Sequence, residues 1–508
     1  METSSAMARV LLLPAFLLLA SGAAVAGPVR TPPARHFTIT REWTSPAGRK
    51  IRYTLEAGDT YLVDEKGQPN ASIFSFAYLK DVPPAERASR PVLFAFNGGP
   101  GSSSLWLHIG ILGPRRVRLP DPVHPPTVPP FTLRDNPYWI LDSADIVLID
   151  PVGTGFSRAV GSGTVAQFAG QVPDAVSVTC FIETWLRRNH RWNSPKFLLG
   201  ESYGTIRAAL VANMLFGGAG SPSAQFSAVT LNGVILLGQA VALPEDADLA
   251  AVTTLPSFAA TAWYDRRVDR KGRSLSQFFE AAQHFADGEY RDSLFAGDRL
   301  PVQERASVAA TAASYIGLPT DEILAHNLRV GVNEFRVLLL KPEGEEVGGY
   351  DSRYAYPESP AGSDSSDVVA DDAAMGQYSP AFITAFDQYV RGELGVDVDR
   401  PYEAINFAVF RQFEAADRSR SRPSAATAGQ QLAAAMRRNP KMRLMVGSGY
   451  YDLYSTADNA AYQFAHMGLP PDRVALKRYP AGHMIYIGDK SSVELATDLR
   501  AFIAASDK

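Results

Sequence analysis

Two hydrophobic patterns run along this chain, and a third region interrupts them. Over residues 36–78 apolar and polar positions alternate (Phe37, Ile39; Ile51, Tyr53, Leu55; Phe74, Phe76, Tyr78), with turn signals at 45–48 and 66–69. A period of two with one wet face predicts antiparallel hairpins. Short continuous apolar runs follow at 91–96, 145–150, 196–199 and 228–238, with amphipathic stretches at 174–188 and 206–216 between them. Such runs predict buried strands, and their alternation with helices predicts a mostly parallel sheet covered by helices on both faces. A proline-rich stretch at 119–131 predicts an extended surface loop.

Between 243 and 431 helical spacing takes over, at 275–285, 302–315 and 402–413. The run 335–340 fits either a strand or the buried side of a helix, and an acidic, serine-rich loop spans 358–372. Sheet patterning resumes at 442–446 and 474–479, which makes an inserted helical cap a better reading than an independent second domain. The expected organisation is a sheet core over 27–242, a largely helical cap insertion over 243–431, and the rest of the core over 432–508.

Composition adds little for most of the chain: of 508 residues 46% are hydrophobic and 20% charged, with a net charge of −4. No basic cluster is present to neutralise phosphates, so a nucleic-acid partner is not expected. The N-terminus changes the picture. Arg9, an apolar run from Val10 to Ala20 and the small-residue pattern Ala24-Val25-Ala26 have the layout of a secretory signal peptide over 1–26. That run is too short to span a bilayer, as is every later one, and no cysteine follows it to carry a lipid. The expectation is an exported protein without a stable membrane anchor. The single cysteine, Cys180, has no partner for an intrachain disulfide and is expected as a buried structural thiol.

The candidate chemistry lies where predicted strands end. Residues 196–216 read as strand, sharp turn and helix, and the turn spells Gly200-Glu201-Ser202-Tyr203-Gly204. In G-x-S-x-G the glycines permit a strained elbow that lifts one hydroxyl clear of the backbone, so Ser202 is the candidate nucleophile. A serine needs a base, and the base needs an acid to hold its tautomer. Of eight histidines, His483 alone follows a late strand and a glycine turn in the order serine, acid, histidine. Asp452 ends the preceding strand and is the candidate acid, with Asp458 a few residues beyond as its competitor. The glycine-dense turn Asn97 to Ser104 implies backbone approaching something closely; a phosphate loop is disfavoured because no lysine follows. No cofactor and no metal are expected.

Taken together these segments resemble the serine carboxypeptidase family of α/β-hydrolases. The matching landmarks are NGGPGSSS at Asn97 to Ser104, DNPYW at Asp135 to Trp139, DPVGTGFS at Asp150 to Ser157, GESYG at Gly200 to Gly204, the Asp452 turn, and AGHM at Ala481 to Met484. The resemblance implies an α/β-hydrolase fold and a triad of Ser202, Asp452 and His483. It implies an oxyanion hole of the Gly99 and Tyr203 amides, and Asn97 and Glu201 as hydrogen-bonding partners of a substrate's terminal carboxylate. Peptides would be the substrates, losing C-terminal residues by way of an acyl-enzyme. Two departures stand out. Ile111 occupies the place where the family usually carries a second recognition glutamate, ahead of Gly113-Pro114-Arg115-Arg116, and the cysteines of the familiar eukaryotic members are missing. The second departure points to a bacterial-type, periplasmic or secreted relative. An esterase or acyltransferase on the same triad is the competing enzyme, and an inactive hydrolase fold serving as a binding protein is the non-enzyme alternative.

Overall fold

The computed structural model describes residues 31–119, 123–218, 227–358, 369–419 and 427–506, so the expected leader at 1–26 lies outside the described residues. Ten strands form one sheet: β1 (His36–Thr44), β2 (Lys50–Val63), β3 (Pro69–Lys80), β4 (Val92–Phe96), β5 (Asp145–Ile149), β6 (Arg158–Ala159), β7 (Lys196–Glu201), β8 (Gly233–Leu237), β9 (Arg443–Gly449) and β10 (Val474–Tyr479). Their spatial order is β1-β2-β3-β5-β4-β7-β8-β9-β10, with β6 paired to β3. The first three strands are an antiparallel meander, and every pairing from β5 to β10 is parallel. This is the mostly parallel, helix-covered sheet of an α/β-hydrolase.

The continuous apolar runs are strands buried on both faces, and the period of two divides their residues between two cores. Leu93, Ala95, Ile146, Leu148, Phe197 and Leu199 point to one side, where they meet Leu495, Leu499 and Phe502 of helix Asp489–Ser506. Val92, Phe94, Phe96, Val147, Ile149 and Leu198 point to the other. There they pack on helices Gln171–Arg188, Tyr203–Leu215 and Ala428–Arg438. Cys180 lies on the first of these helices and is half-buried rather than fully buried; burial, with Glu183 nearby, pushes its thiol up to about 11, so it stays protonated.

Helices Ala247–Tyr264, Leu275–Phe285 and Val302–Ile316 form a third core, in which Phe258 stacks on Phe335 at 3.9 Å. The ambiguous run at 335–340 lies mostly in helix Val332–Leu338; of its buried residues Phe335, Leu339 and Leu340, the first two are four apart, a helical spacing. Two expectations need correction. The helix read at 402–413 starts only at Phe407, because Asn406 caps it by accepting from the amides of Ala408 and Val409. Residues 402–406 are not helical and bridge two turns instead, Ile405 to Ser102 in the glycine-rich turn after β4 and Glu403 to Gly155 in the turn after β5. In the proline-rich stretch Val123 and Phe131 are buried, so it is not wholly a surface loop. Of the acidic loop, 359–368 lies outside the described residues, while Asp372 caps helix Ala373–Gln388 by accepting from Ala374 and Met375 at 3.0 Å.

Candidate active site

At the end of β7, Ser202 stands at φ 58 and ψ −131, a backbone conformation that costs a non-glycine residue about 1–3 kcal/mol. Close packing around it explains the glycines. A Cβ on Gly200 would lie 2.1 Å from the Gly204 carbonyl oxygen, and one on Gly98 would lie 2.4 Å from the Tyr203 amide nitrogen. The turn after β4 and the serine elbow therefore touch backbone to backbone. A buried ion pair locks them: Arg207 bonds Asp174 at 2.7 Å through Nε and the Asn97 carbonyl at 2.6 Å through Nη1. Sequence reading missed Arg207, whose only signal is a charge on the apolar face of the elbow helix.

Asp452 is fully buried in the turn after β9. Its carboxylate accepts from the amides of Tyr454 and Ser455 at 2.9 Å, from the Ser455 hydroxyl at 2.5 Å and from His483 Nδ1 at 2.7 Å. Burial alone would raise this carboxyl, but the imidazole and the Ser455 bonds outweigh it and hold it below its usual value. With Nδ1–H given to Asp452, the other ring nitrogen is the acceptor. That atom, Nε2, is buried and has no hydrogen-bond partner among the described residues. Burial disfavours the imidazolium, yet Asp452, and after it Glu201 and Asp372, raise the His483 pKa above its ordinary value. Gly238, at φ 54, makes room for the ring, since a Cβ there would lie 2.7 Å from His483 Cε1. Asp458 does not compete: it bonds Gln283 at 2.9 Å and Arg478 at 3.1 Å.

Ser202, His483, Gly99, Asn97 and Glu201 all line one cavity of about 580 Å³, whose walls include Trp106, Met375, Phe407 and Phe410. Tyr203 is not among its lining residues; its side chain packs the other way, onto Val409 and Phe413. Glu201 Oε1 accepts from Asn97 Nδ2 at 2.8 Å and from the Tyr486 hydroxyl at 3.0 Å. Asn97 Oδ1 accepts from the Leu107 amide at 3.2 Å, which fixes the amide orientation. Glu201 Oε2 is buried without a partner among the described residues. Burial raises this carboxyl to about 7, against the opposing pull of His483, Tyr486 and Asn97.

Ile111 is completely buried and takes no part in lining the cavity. Arg115 pairs with Asp135 and Glu393, and Arg116 bonds the Tyr486 carbonyl at 3.0 Å and Ser492 at 3.1 Å, so neither arginine reaches the cavity. The arginine that does line it is Arg411, which sequence reading passed over.

A serine elbow after β7, a buried acid and histidine in the turns after β9 and β10, and a glycine loop against the elbow are the arrangement of an α/β-hydrolase. Comparison with known proteins narrows this. A family model described as serine carboxypeptidase matches residues 59–296. "Serine carboxypeptidase-like 20" of Arabidopsis thaliana is 33% identical over 125 residues, 24% of this chain and 24% of the relative. "Serine carboxypeptidase-like 36" of the same plant is 28% identical over 138 residues, 27% of this chain and 26% of the relative. The matched part thus spans about a quarter of the length of these curated relatives. Among solved structures, Kex1 from Saccharomyces cerevisiae, a prohormone-processing carboxypeptidase, aligns with a TM-score of 0.55 at 15% identity. That alignment covers 89% of this chain and 91% of Kex1, and it carries the fold. Over residues 59–296 the chain is therefore similar to the serine carboxypeptidase family.

Proposed function

We propose that this protein is an exported serine-type carboxypeptidase that releases C-terminal residues from peptides. The observation that carries the proposal is the buried Glu201 carboxyl, held by Asn97 and Tyr486 beside Ser202, with its second oxygen unpartnered among the described residues. A carboxyl can bond a substrate carboxylate only while one of the two holds a proton, and burial keeps the proton on Glu201 up to about pH 7.

In this reading Ser202 Oγ attacks the scissile carbonyl carbon while its proton passes to His483 Nε2. Asp452 holds Nδ1–H and stabilises the imidazolium. The amides of Gly99 and Tyr203 receive the developing oxyanion, each worth about 3 kcal/mol. As the C–N bond breaks, His483 returns the proton to the departing amino group, leaving the shortened peptide as an ester on Ser202. Water then attacks that ester, gives a proton to His483, and the proton goes back to Ser202 as the peptide leaves. The helical region 243–431 serves as the cap over this site, and residues 1–26 as the leader that directs export.

A peptide library digested by the protein from Gly27 onward, read by mass spectrometry, tests the proposal. Stepwise loss of single C-terminal residues is expected. Internal cleavage, or hydrolysis confined to simple esters, would replace it with an endopeptidase or esterase reading.

A further inference from the structure

The described side chains at the start of helix Phe407–Ser419 fall on two faces. Val409 and Phe413, four residues apart, are buried against Ala169 and Tyr203, with the Phe413 and Tyr203 rings 5.5 Å apart. Phe407, Phe410 and Arg411, at spacings of three and four, line the catalytic cavity on the other face. The helix is fixed at its start as well. Asn406 donates its amide to the Gly101 carbonyl at 2.8 Å, and the Ser103 amide donates to the Ala404 carbonyl at 3.0 Å. Arg411 is therefore carried on a segment stitched to the glycine-rich turn of the active site.

Apart from His483, Arg411 is the one cationic side chain among the described residues that line the cavity, and no described acidic group pairs with it. The cavity's one acid, Glu201, is already engaged by Asn97 and Tyr486. A guanidinium beside apolar walls, with no acceptor for its donors among the described residues, suits a side chain that has a short aliphatic stem and a terminal carboxylate. We infer that Arg411 selects substrates with an acidic side chain at the penultimate residue, the one that becomes the acyl group. This rests on the carboxypeptidase reading for its orientation. The departing residue lies toward Glu201, whereas the helix bearing Arg411 rests on Tyr203, whose amide faces the acyl carbonyl.

The test compares kcat/KM for N-acylated peptides with Glu, Gln or Lys before a common C-terminal residue, at one pH and low salt. Glu is expected to exceed Gln by roughly fivefold, the scale of a partly exposed ion pair, and the advantage should shrink as salt rises. Arg411→Ala should bring the Glu to Gln ratio to about one, and Arg411→Glu should turn the preference toward Lys. N-acyl glutamyl and glutaminyl methyl esters run in parallel, because they keep the acyl residue and lack a terminal carboxylate on the leaving group. A Glu preference on esters without cleavage of the peptides would keep the role of Arg411 and remove the carboxypeptidase reading. Peptide cleavage with equal Glu to Gln ratios in wild type and both variants would overturn the role of Arg411 alone. Failure to turn over either kind of substrate would overturn both.

Discussion

In the proposed function, replacing Glu201 by glutamine perturbs the titrating group that would hold a peptide's free end. Burial moves its pKa from 4.5 to about 7. The difference corresponds to about 3 kcal/mol against ionising Glu201 in its site rather than in water. On this proposal the carboxyl would donate to a substrate carboxylate below that pH, and above it two negative groups would face each other. The ratio of kcat/KM for a peptide acid over its C-terminal amide should therefore be flat under acid conditions. Beyond about pH 7 it should fall toward tenfold per pH unit. Glu201→Gln places a neutral donor of nearly the same shape there, so the ratio should lose its pH dependence. Two further signs follow. Glu201 lies among the charges that raise the His483 pKa, so the variant should shift the acid limb of ester hydrolysis to lower pH. The folded-state pKa of Glu201 also exceeds its unfolded value, so stability is lost as pH rises from 4.5 through about 7, and the Tm of the variant should overtake that of the wild type there. Initial rates on the acid and amide pair, measured in overlapping buffers from about pH 5 to pH 8, check this. A wild-type ratio that stays constant across the range, or equals one throughout, would refute the role of Glu201.

Ser202→Ala should abolish turnover, and a fluorophosphonate probe should label wild type but not the variant, read by mass spectrometry of the tryptic peptide. Asp452→Asn should slow turnover by on the order of 10⁴ because His483 would be held in the wrong tautomer. Asp458→Asn should stay close to wild type, since that acid serves Arg478 and Gln283; the opposite pattern would reassign the acid. Gly98→Ala should lower kcat by about 10²–10³, the value of a lost oxyanion donor, because its methyl would meet the Tyr203 amide nitrogen at 2.4 Å and push the two loops apart. Unchanged kcat in that variant would remove the loop from catalysis.

What the sequence made legible was whatever a local pattern encodes. The elbow is a strand, a turn and a helix in twenty consecutive residues, and each of the two late strands is followed within four residues by its chemical residue, so Ser202, Asp452 and His483 are readable one by one. Their supporting contacts are not, because they join distant segments. Ser455 is an ordinary residue until the turn folds its hydroxyl onto Asp452, and Tyr486 reads as a core aromatic until its hydroxyl meets Glu201 across 285 residues. The late start of helix Phe407–Ser419 was legible in part: Asn406 is a good cap residue, but helical spacing upstream concealed it. Arg411 was invisible for a different reason. Its position matters only because residues 402–406 pair with a turn some three hundred residues earlier, and no local pattern records that pairing.

The position of Ile111 gives the missing glutamate its physical meaning. Had residue 111 faced the cavity, a second acid there would share protons with Glu201, and recognition would follow two coupled titrations. Instead the side chain is buried in the core on the turn His108–Leu112, and only its backbone is in use, with the carbonyl accepting from Asn136 at 2.8 Å. Arg115 and Arg116 are likewise spent elsewhere, on Asp135, Glu393 and the Tyr486 carbonyl. If the proposal holds, a terminal carboxylate would meet Asn97 and one protonated carboxyl, so affinity for a free C-terminus should follow a single proton. On the same proposal, further discrimination would come from the acyl side of the cavity, to which Arg411 is assigned.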